Sequence, residues 1–77
     1  MKFLMVYWWT PEHAKEVTER YTKWTQQGNY KVLYPASMML GRNKGFAVVE
    51  CDDVMELYKD VRTWTDLVTY EFIPILD

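Results

Sequence analysis

Seventy-seven residues with a formal net charge of −2, one cysteine and one histidine are expected to form one small domain, residues 1–77. That inventory leaves no intrachain disulfide and no metal-ligand set. The chain is mildly acidic, with pI 5.3, and has no basic block, which argues against a nucleic-acid partner. No apolar run approaches the ~20 residues of a membrane span, and no cleavage signature follows "MKFLMVYWW". The expectation is therefore a cytoplasmic protein with no membrane contact.

Lys2 to Trp9 is apolar or aromatic after its lysine, with the length and side chains of a buried strand. Thr10-Pro11 then signals a helix start, with Thr10 as N-cap, Pro11 at the first helical position and Glu12 in the first turn. Ala14, Val17, Tyr21 and Trp24 recur at spacings of 3, 4 and 3, which makes one apolar helix stripe. Lys15, Glu16, Glu19 and Lys23 take the opposite side, and Gly28 is predicted to cap the C-terminus.

Lys31 to Leu40 predicts a second strand. Pro35 within it cannot donate to a ladder, so that strand lies at an edge or is bulged there. "GRNKG", Gly41 to Gly45, predicts a hairpin loop into a third strand, Phe46 to Cys51. Asp52-Asp53 opens a second helix, with Asp53 and Glu56 spaced as a capping box. Its stripe is Val54, Leu57, Tyr58, Val61 and Trp64. Leu67 to Leu76 predicts a fourth strand, with Pro74 at its frayed end.

The order β-α-β-β-α-β, with right-handed crossovers, predicts an α+β ferredoxin-like fold: a four-stranded antiparallel sheet with two helices on one face. Strand alternation then sets Phe3, Met5, Tyr7 and Trp9 against Lys2, Leu4, Val6 and Trp8. The bulkier set is assigned to the helix-covered core. The other face would expose Leu4, Val6, Trp8, Phe46, Val48 and Ile73 together, and a patch of that kind implies an interface. The simplest cover is a second copy with two-fold symmetry.

Energetics point the same way. Burial of roughly 8,500 Å² on folding, about 55% of it apolar, contributes on the order of 115 kcal/mol. Ordering the chain costs on the order of 115 kcal/mol. A monomer is marginal, and a homodimer is expected.

"GFAVVECDD", "WTDL" and the ending "YEFIPILD" resemble a family of small uncharacterised proteins within the dimeric α/β-barrel superfamily. The resemblance spans nearly the whole chain. It implies ferredoxin-like subunits that pack sheet to sheet, and it brings no established catalytic residues. The wider superfamily holds cofactor-free monooxygenases, muconolactone isomerase-like enzymes, haem-linked enzymes and simple binding domains, and fold does not choose among them.

Aromatic residues make up 17% of the chain, a high share. Tyr7, Trp9, Trp64 and Tyr70 are candidates to line a sheet–helix pocket for a small apolar or aromatic ligand, or else to pack the core. His13, in the first helical turn, could exchange a proton with that ligand. It is also the only imidazole that a haem iron could take, and a surface role is the plainer alternative. Asp66 is either an acid or base near Trp64 or the holder of its own turn. Glu50 and Glu71 could share the outer sheet face as a coupled pair, or stand apart at a rim. Ser37 and Cys51 have no legible partner for nucleophilic chemistry. Met38-Met39 suit adaptable packing. No cofactor is implied. Binding, or transformation without cofactor, of a small apolar or aromatic molecule is the leading expectation. The alternative is a non-catalytic dimerisation or regulatory module.

Overall fold

The computed structural model describes residues 1–77. Its elements in chain order are β1 (Lys2–Trp8), a 3-10 turn (Pro11–His13), α1 (Ala14–Lys23), β2 (Lys31–Met38), β3 (Lys44–Glu50), α2 (Val54–Val61) and β4 (Thr69–Ile75). The strands form one antiparallel sheet in the order β2-β3-β1-β4. This is the ferredoxin-like arrangement that the element order predicts.

Both helices lie on one face, and the register fixes which face that is. Phe3, Met5 and Tyr7 stand opposite Val49, Ala47 and Gly45. Residues alternate along β3, with Gly45, Ala47 and Val49 buried and their neighbours partly covered. Buried Val49 and Cys51 pack with Leu57 of α2, and Trp9 packs with Val17 of α1, Trp64 and Val68. The Phe3, Met5, Tyr7, Trp9 set therefore faces the helices.

Pro35 behaves as its chemistry requires. β2 is an edge strand, and its register against β3 shifts on both sides of Tyr34, between Val32 and Tyr34 and again between Tyr34 and Ser37. Pro74 stands at the end of β4 as expected: it is the penultimate residue, opposite Phe3, and the strand stops at Ile75. β4 is the other edge strand, so a missing N–H is tolerated there.

Other boundaries differ for identifiable reasons. β2 ends at Met38 and β4 starts at Thr69, short of Leu40 and Leu67. Gly45 belongs to β3, not to the hairpin loop, because the Tyr7 ring lies over it; a Cβ there would meet Tyr7 Cε2 at 2.6 Å. α1 stops at Lys23, because Trp24 turns extended with ψ 141°. Gly28 is thus not its cap. It sits where the chain crosses α2, and a Cβ would lie 1.8 Å from the Glu56 carbonyl oxygen.

The helix starts divide similarly. Asp53 caps α2 by accepting from Met55 N at 2.9 Å. Glu56 does not close a capping box; it accepts from Asn29 N and Lys59 Nζ instead. Thr10 has the extended backbone of an N-cap, but its hydroxyl bonds no backbone N–H. The α2 stripe also shifts: Val54 and Tyr58 are exposed, while Leu57, Asp60, Val61 and Trp64 are buried.

Candidate functional site

The sheet and helices leave a cavity of ≈ 230 Å³ between them. Its lining is hydrophobic except for Gln26, Pro35 and Asp60. β1 and β4 supply the floor, where Tyr7 and Tyr70 are directly opposed with ring centroids 5.7 Å apart. Tyr7 reaches across Gly45 towards β2, where Val32, Pro35 and Ala36 form one side. Tyr21 and Trp24, stacked on each other at 6.1 Å, close the α1 end. Trp64 is held by the turns after α2, with its carbonyl accepting from Leu67 N and Val68 N at 2.9 and 2.8 Å.

The segment from Trp24 to Tyr30 is fixed by Asp60. This carboxylate is 5% exposed and accepts from Gln27 N at 2.9 Å, Gly28 N at 3.1 Å and the Tyr30 hydroxyl at 2.8 Å. Gln26 reinforces the turn by donating to the Gly28 and Tyr30 carbonyls. A buried carboxylate persists only when its lone pairs are satisfied, and here three donors from one segment satisfy them.

The cavity phenols stay protonated. Burial, with the neighbouring Tyr21 phenol, raises Tyr7 to about 12 against the opposing influence of the Ser37 backbone. Burial also pushes Tyr30 upward, helped by its hydrogen bond to Asp60 and that group's charge. Tyr70 is raised by burial first and then by Tyr7 and Asp60. At neutral pH these rings present O–H groups and no phenolate.

Of the five residues singled out from sequence, Tyr7, Trp64 and Tyr70 line the cavity. Trp9 lies behind them, 7% exposed and stacked on Tyr7 at 6.2 Å. His13 lies outside the lining, its Nδ1 3.1 Å from the Thr10 hydroxyl. Asp66 is not a free acid or base. The Arg20 guanidinium binds it through two hydrogen bonds, at 2.7 and 2.9 Å, and holds its carboxyl below the usual range. The same Arg20 lies 5.5 Å from the Trp64 ring centroid. Glu50 and Glu71 do share the outer face but stand opposite Lys2 and Val6, four residues or about 13 Å apart along β1. They form no pair. Burial raises the Cys51 thiol.

Tyr21 and Trp24 join the site from the apolar stripe of the first helix, whereas Asp60, Tyr30 and Gln26 come from positions that the sequence reading does not mark. Of these three, Asp60 carries a signal: it lies three residues after Leu57 and four before Trp64, a carboxylate on an apolar helix face. No group of three or more His, Cys, Asp or Glu side chains gathers as a metal site, and no helix is long and apolar enough to cross a membrane.

The family model described as "Domain of unknown function (DUF3303)" matches residues 1–77. Neither the curated proteins nor the solved structures return a match.

Proposed function

The chain belongs to the DUF3303 family over its whole length, and from that premise we propose that it is a homodimeric α/β-barrel protein that binds a small apolar or aromatic molecule between sheet and helices. The observation that carries this reading is the aromatic-walled cavity of ≈ 230 Å³. An apolar cavity of about 150 Å³ takes up benzene, so a bicyclic hydrocarbon suits this larger space. Ring faces of Tyr7, Trp64 and Tyr70 supply the contact area, and the phenols supply orientation.

Dimerisation rests on the opposite face of the sheet. Across the strands its rows run Lys31, Glu50, Lys2, Ile75; then Tyr34, Val48, Leu4, Ile73; then Ser37, Phe46, Val6, Glu71; then Lys44, Trp8, Thr69. The centre is apolar and charges stand at the ends, the distribution of an interface core and rim. Only 12 of 77 residues are buried in the subunit, so a second copy would supply stability that the small core lacks.

Amide chemical-shift mapping with indane tests the ligand site, and light scattering at micromolar concentration tests the dimer. Saturable shifts at Tyr7, Trp64 and Tyr70 support binding. Shifts confined to residues 39–43 or to the outer helix faces reject it. The apolar outer face favours one second reading, a dimerisation or regulatory module without a ligand. A dimer that shows no cavity shifts with any small aromatic would support that module.

A further inference from the structure

Resting on the cavity reading above, we infer that the preferred ligand carries a positive charge: an aromatic or apolar molecule bearing an ammonium group, held among the ring faces and facing Asp60. Charge in the cavity wall has one sign. Asp60 is the only Asp or Glu in the lining, and no Lys, Arg or His contributes to it. Asp60 has hydrogen-bond donors but no ion-pair partner. The four ion pairs of the subunit involve Lys2–Asp77, Arg20–Glu16, Arg20–Asp66 and Lys59–Glu56. Its buried carboxylate is therefore held by three hydrogen-bond donors but faces no cation, in a wall where Gln26 is the only other strongly polar side chain.

The rings add to the same field. Aromatic faces are negative and attract cations, more strongly once water is excluded. Tyr7, Tyr21, Trp24 and Tyr70 all contribute to the wall, whereas the Trp64 ring already carries the Arg20 guanidinium. Asp60 belongs to the lining itself, and its Oδ2 accepts from the hydroxyl of Tyr30, another lining residue, at 2.8 Å. An anion entering this space would meet a carboxylate and ring faces of like sign with no cation to receive it. An ammonium group would neutralise the one buried charge that the fold leaves unpaired.

Three ligands of one shape separate this inference from the reading beneath it: indane, 1-aminoindane and indane-1-carboxylate, titrated at neutral pH and followed by amide shifts of the native protein. The inference predicts that 1-aminoindane binds in the cavity roughly tenfold or more tightly than indane, as a charge-assisted contact provides, and that the carboxylate binds most weakly. Asp60→Asn should remove the preference, read as the ratio of 1-aminoindane to indane affinity in the same variant. Tyr30→Phe, which keeps the charge, should retain it. If Asp60→Asn fails to fold, the native ligand series and Tyr30→Phe still decide. Equal binding of amine and hydrocarbon overturns the inference and leaves the binding site standing. Binding of the amine only outside the cavity also overturns it. No binding by any of the three overturns both.

Discussion

Trp8 and Trp9 are adjacent in the chain and lie on opposite faces of the sheet. Trp9 is 7% exposed, packed with Val17, Trp64 and Val68 beneath the helices. Trp8 stands on the outer face, with Lys44 Nζ 5.7 Å from its ring centroid. The two truncations should therefore differ in kind. Trp9→Ala should cost the subunit ~3–5 kcal/mol, as loss of a core aromatic does. Trp8→Ala should leave the subunit folded and weaken self-association. The measurement is the unfolding midpoint as a function of protein concentration. Only the Trp8→Ala midpoint should become more sensitive to concentration, and the reverse result would exchange the roles of the two faces.

The same pair shows what alternation makes legible. A period of two, read from bulky and mild side-chain sets, identifies the helix-covered face of β1, because the strand is regular there. Pro35 likewise announces an edge, since a missing N–H has one structural meaning. The start of α2 at Asp53 is legible, but the end of α1 is not. A glycine after an apolar stripe reads as a cap, yet Gly28 is needed because two backbones cross at van der Waals contact. Nothing local in the sequence encodes that crossing. Arg20 and Asp66 lie 46 residues apart in sequence, and their pairing depends on how α1 packs, so neither sequence reading of Asp66, acid or base or holder of its own turn, includes Arg20. Of the five candidate ligand residues, Tyr7 and Tyr70 reach the cavity from their strands and Trp64 from beyond α2, while Trp9, of the same parity as Tyr7, packs behind them. His13 does not reach it, because the 3-10 turn keeps it beside Thr10.

Asp60 and Gly28 act together to hold the segment between α1 and β2. Gly28→Ala should force the segment off α2, because the new Cβ would overlap the Glu56 carbonyl; a cost of about 3 kcal/mol or more is expected for such overpacking against backbone. Tyr30→Phe removes one hydrogen bond to a carboxylate and should cost ~1.5–3 kcal/mol. Urea unfolding of both variants checks this. Costs below about 0.5 kcal/mol for both, within the range of neutral surface changes, would mean that Asp60 does not hold the segment.

Alkaline titration should expose the buried phenols. Unfolded tyrosine ionises near 10.0, and Tyr7 in the fold only near about 12, with Tyr30 and Tyr70 also raised. A raised folded value means that the neutral phenols contribute stability that is whole below pH 10 and is lost as pH rises through the folded value. Stability should thus fall from about pH 10 upward, with late tyrosinate absorbance appearing together with loss of circular dichroism. Tyr70→Phe should make that fall shallower. An unchanged slope would show that Tyr70 ionises freely in the fold.

Ala47 offers the most direct examination of the cavity itself. It is 5% exposed, lies on the helix side of β3 and lines the cavity, so Ala47→Leu places three further carbons into that space. Calorimetric titration of the native protein and of Ala47→Leu with indane, alongside urea unfolding of each, is the decisive measurement. A true ligand cavity predicts saturable binding to the native protein, binding weakened at least about tenfold in Ala47→Leu, and a variant that stays folded because the void absorbs the added volume. Native protein that takes up no indane, or a variant that loses ~1–3 kcal/mol as an overpacked solid core does, would contradict it.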